Sequence, residues 1–114
     1  VVLLFVPQGI EAIACFCGAM AAGAVPSFMP LPSAKQDPQR HWETHRTLFE
    51  RITPAAVVAP RAQLAAMAAL AGAAPLRLLA IEDAPGDGAP EAPPRPPSPV
   101  ALLQHSSGTT GLKK

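Results

Sequence analysis

The stretch Val1-Val2-Leu3-Leu4-Phe5-Val6-Pro7-Gln8-Gly9, with the residues that follow it to Met29, decides how the chain folds. Val1 to Val6 is a continuous apolar run with no polar alternation, the pattern of a strand covered on both faces. Pro7-Gln8-Gly9 breaks it. Ile10 to Ala22 then reads as a helix closed by Gly23 at C′, where glycine enters the left-handed conformation without a Cβ clash. Apart from Glu11 this helix is apolar or small all round. Deep burial is therefore expected, with Gly18 and the alanines packed closely against a neighbour. Ala24 to Met29 reads as a second short strand, and Pro26, which has no N–H for a ladder, argues for an edge or terminal position. Strand, helix and strand in quick succession imply a parallel βαβ unit and an α/β fold.

Outward from this unit, Leu31 to Gln36 is a loop between prolines, in which Lys35 has no evident role. Asp37-Pro38 is a helix start, with Asp as N-cap and Pro at the first helical position. Trp42, His45, Leu48, Phe49 and Ile52 then share one face, and Arg40, Glu43, Arg46, Glu50 and Arg51 occupy much of the rest as a solvated surface. His41 and His45 are an i, i+4 pair of the kind that binds metals, but no third ligand lies nearby in the sequence, and His45 falls on the apolar stripe. No metal site is assigned. Pro54 ends the helix, and Ala55 to Ala59 reads as a buried strand. Pro60-Arg61 opens an alanine-rich helix with Leu64, Met67, Ala68 and Ala71 on one side and Gly72 at its end. Leu76 to Ile81 is a further strand. Glu82-Asp83 lies at its carboxyl end, where ligands often bind in open α/β sheets, although a solvated turn is the simpler reading.

From Ala84 to Pro99 the composition changes: seven of the fifteen prolines fall here, with Gly86 and Gly88, and little that could pack. An extended linker or loop is expected. This divides the chain into residues 1–83, a βαβ-type part of one domain; 84–99, the linker; and 100–114, a strand from Val100 to Gln104 followed by a loop. A net charge of +1 with 15% charged residues leaves no basic footprint for nucleic acid. Val1 to Val6 is far too short to cross a bilayer. Cys15 and Cys17 cannot pair easily on a helix and read as buried free thiols, which suits a cytoplasmic protein.

The loop is Ser106-Ser107-Gly108-Thr109-Thr110-Gly111-Leu112-Lys113-Lys114. Glycines let main-chain N–H groups approach a ligand closely, hydroxyls donate to phosphate oxygens, and lysine adds a mobile cation. A flexible Ser/Gly/Thr linker has the same composition. Only Thr109 and Thr110 separate Gly108 from Gly111, so the run is not a Walker A loop, and the dinucleotide fingerprint G-x-G-x-x-G is absent.

The run closely resembles the phosphate-binding signature of the adenylate-forming enzymes. These include acyl- and aryl-CoA synthetases, fatty-acyl-AMP ligases and the adenylation domains of peptide synthetases. Lys114 matches the signature lysine, while Lys113 stands where the family usually has proline. Ala22-Gly23-Ala24-Val25-Pro26 is similar to a passage that precedes the signature in that family. The resemblance implies a layered, parallel-sheet domain of flavodoxin or Rossmann type. It also implies an enzyme that activates a carboxylic acid with ATP and Mg²⁺ and passes the acyl group to CoA or a carrier-protein thiol. Ser106, Ser107, Gly108, Thr109, Thr110 and Gly111 would hold the departing phosphates, and Lys114 would neutralise their charge. Because the chain opens inside an apolar run and stops on its own motif, it is expected to be an N-terminal fragment, inactive alone. The rival expectation is a non-catalytic α/β binding domain with a Ser/Gly/Thr tail.

Overall fold

The apolar run at the start of the chain becomes the inner part of a parallel sheet. The computed structural model describes residues 1–70, 76–84 and 100–104. In it β1 (Val2–Leu4) pairs with β2 (Pro26–Phe28) on one side and β3 (Ala56–Ala59) on the other. Beyond β3 lies β4 (Leu78–Ala80), giving the parallel order β2-β1-β3-β4. Leu3, Leu4 and Phe5 have no exposed surface, as expected for a strand covered on both faces. Pro26 opens an edge strand of the named sheet, the position its missing N–H predicts.

Alternate residues of β1 and of the two positions after it serve two cores. Leu3 and Phe5 join Trp42, Leu48 and Phe49 of α2 (Pro38–Ile52) and Met67 of α3 (Arg61–Leu70). Leu4 and Val6 join Ala12, Cys15 and Phe16 of α1 (Ile10–Ala21) on the opposite face. Phe5 is the hub of the larger core, edge-on to Trp42 at 5.2 Å and to Phe49 at 6.0 Å between ring centroids.

The helix ends follow from local chemistry. Gly23 has φ 72°, its N–H donates to the Met20 carbonyl at 2.9 Å, and the Ala24 N–H donates to Ala19 at 2.9 Å. These two bonds make a complete Schellman motif. At α2, Asp37 accepts from the Gln39 N–H at 3.0 Å and Pro38 takes the first helical position. That helix ends at Ile52, immediately before Thr53 and Pro54.

Several expectations are corrected. The helix α1 is not deeply buried: only Ala12 is buried, while Ile10 is 82% and Ile13 65% exposed. A Cβ on Gly18 would meet nothing within 4 Å, so that glycine marks no close packing. Its apolar character cannot be matched by one sheet face alone, because one helix contributes only one stripe to a sheet. For the same reason Cys17 is exposed rather than buried, and Cys15 half-buried; both are free thiols. Ala68 is exposed, and Ala66 takes the inward place beside Met67. The strand expected at Val100 to Gln104 is reduced to one parallel bridge, Leu103 to Ser27. Ala71, Gly72 and residues 85–99 lie outside the described residues.

Candidate functional site at the carboxyl end of the sheet

Every strand of a parallel sheet points its carboxyl end the same way, and ligands bind beyond that end where the strand order reverses. Here the reversal falls between β1 and β3, since the chain leaves β1 toward β2 and leaves β3 toward β4. The residues following those two strands are Pro7-Gln8-Gly9 and Pro60-Arg61. Gly9 is the N-cap of α1 with φ 154° and ψ −167°. Such a conformation is available essentially to glycine alone.

Arg61 opens α3 and is held by the two acidic residues that follow the neighbouring strand β4. Both carboxylate oxygens of Glu82 accept from its main-chain N–H, at 3.1 and 3.0 Å. The Arg61 guanidinium pairs with Asp83. The acidic pair is thus exposed, yet it caps a helix and fixes a cation rather than forming a mere solvated turn. Sequence reasoning missed this role because the partners are 21 and 22 residues apart. The only signals were an acidic pair closing a strand and a helix lacking its own capping side chain.

Two grooves open at the same end, beside β2. One is apolar, lined by Val6, Pro7, Ile13, Phe28 and Leu31. The other lies against the first turns of α2, with Lys35, Asp37, Arg40 and His41 on its walls. His45 is 2% exposed, and its Nδ1 lies 2.7 Å from the His41 carbonyl oxygen, so that nitrogen carries the proton. Its ring packs edge-on to Phe5 at 5.4 Å, placing it in the aromatic core as the apolar stripe predicts.

The sequence-predicted site residues Ser106, Ser107, Gly108, Thr109, Thr110, Gly111 and Lys114 lie outside the described residues. The described chain leading to them is informative, however. The Leu103 N–H donates to the Pro26 carbonyl at 3.0 Å, and Leu103 runs parallel to β2. The chain at Gln104 is therefore heading for the carboxyl end of the sheet, where both grooves open. Among the described residues no three His, Cys, Asp or Glu side chains gather as a metal site, and no helix is long and apolar enough to cross a membrane.

Strand order, parallel pairing and helices on both faces define an open, doubly wound α/β unit with the flavodoxin-like order. Several solved structures share this fold. One of the fatty acyl-adenylate ligases of E. coli and L. pneumophila matches with a TM-score of 0.77 at 23% identity, over 98% of this chain and 21% of its own. The L. pneumophila fatty acyl-adenylate ligase in complex with acyl adenylate and pyrophosphate matches at 0.70 and 19% identity, over 99% and 19%. McyG A-PCP complexed with phenylalanyl-adenylate matches at 0.69 and 16% identity, over 98% and 18%. The chain thus has the fold of one part of these enzymes and spans about a fifth of their length. No protein-family model and no curated protein matches the sequence.

Proposed function

We propose that this chain is the N-terminal part of an AMP-forming ligase of the acyl-CoA synthetase or fatty-acyl-AMP ligase type, working in the cytoplasm. One conjunction carries the reading. A chain with the fold of acyl-adenylate ligases over 98% of its length also ends in Ser106 to Lys114, written like their phosphate signature.

In the proposed reaction a substrate carboxylate attacks the α-phosphate of ATP. The bond to the bridging oxygen breaks, and pyrophosphate leaves with the β- and γ-phosphates. Hydroxyls of Ser106, Ser107, Thr109 and Thr110 and the N–H groups of Gly108 and Gly111 donate to those oxygens, and Lys114 offsets their charge. This is stabilisation by preorganised donors and needs no acid or base from the loop. Mg²⁺ would supply further charge neutralisation on the phosphates; the described residues offer it no ligand set. The acyl group then passes to the thiol of CoA or of a carrier protein. Carried alone, the chain is inactive.

The test is ATP–pyrophosphate exchange by the longest natural polypeptide containing this chain, with a panel of carboxylic acids. Fatty acids come first, since two of the three neighbours are fatty acyl-adenylate ligases. Exchange dependent on one acid class is expected. Absence of exchange across the panel overturns the reading.

A further inference from the structure

We draw no further inference here: the strongest candidate, the exposed apolar face of α1 formed by Ile10, Ile13, Cys17 and Met20, is an unpartnered helix surface, and nothing in the structure shows what covers it.

Discussion

Gly9 and Gly18 show how two glycines of one segment can carry opposite consequences. A Cβ on either meets no atom within 4 Å, so sterics with neighbours decide neither case. Gly9 has φ 154°, where a side chain is strained by its own backbone. Gly9→Ala should therefore cost about 1–3 kcal/mol. Gly18 lies in the interior of α1, where alanine loses less backbone freedom on folding, so Gly18→Ala should stabilise by roughly 0.5–1 kcal/mol. Urea denaturation of the two variants beside the parent checks both signs; a Gly18→Ala loss would overturn the expectation of open space at that position. The cysteines differ at the same scale. Burial, and secondarily the Glu11 carboxylate, raises the Cys15 thiol above its ordinary pKa. The thiolate is the reactive form, so a raised pKa leaves less of it at pH 8. Cys17, exposed, should be alkylated first by iodoacetamide at that pH, and the gap should narrow as pH rises. Mass spectrometry of the labelled peptide resolves the order.

Among the elements, α2 was the most legible because every signal for it is local. Asp37 caps it, Pro38 starts it, and Trp42, His45, Leu48 and Phe49 recur at helical spacing and are buried. The helix α1 was misjudged because an apolar helix has the same sequence whether its outer face is already buried or still open. Its ends were legible, since Gly23 encodes the C′ turn directly. The capping of α3 was not, because Glu82 reaches Arg61 only once the crossover is complete. Asp37→Ala and Glu82→Ala each remove the acceptor at a helix start and should each cost about 0.5–2 kcal/mol. A helix that needed no such acceptor would show no change in its denaturation midpoint. Phe5 joins sheet to helix, touching Trp42, His45 and Phe49 at once. Phe5→Ala should cost about 3–5 kcal/mol, a large share of a domain's stability. Loss of the cooperative thermal transition, or a strongly lowered midpoint, is the expected readout.

For the whole molecule, fold and site were legible in different ways. The fold came from hydrophobic runs and breakers that physical chemistry reads directly. The candidate site came from a pattern of small polar residues that is chemically equivalent to a linker until its position is known. What the structure contributes is the Leu103 bridge, which sets the described chain parallel to β2 just before that run begins. On the proposed reading Lys114 meets phosphate charge that departs as the carboxylate attacks, whereas Lys113 stands where related signatures carry no cation. The two neighbouring lysines should then be far from equivalent in the longer enzyme. Removing one preorganised electrostatic contact typically costs about 10²–10³ in rate, so Lys114→Ala should slow adenylation by that factor. Lys113→Pro should keep most activity, because proline restricts an open loop without removing a phosphate contact. Pre-steady-state pyrophosphate release at saturating acid separates this step from the later acyl transfer. Equal, small effects for the two variants would remove Lys114 from the site and return Ser106 to Gly111 to the linker reading.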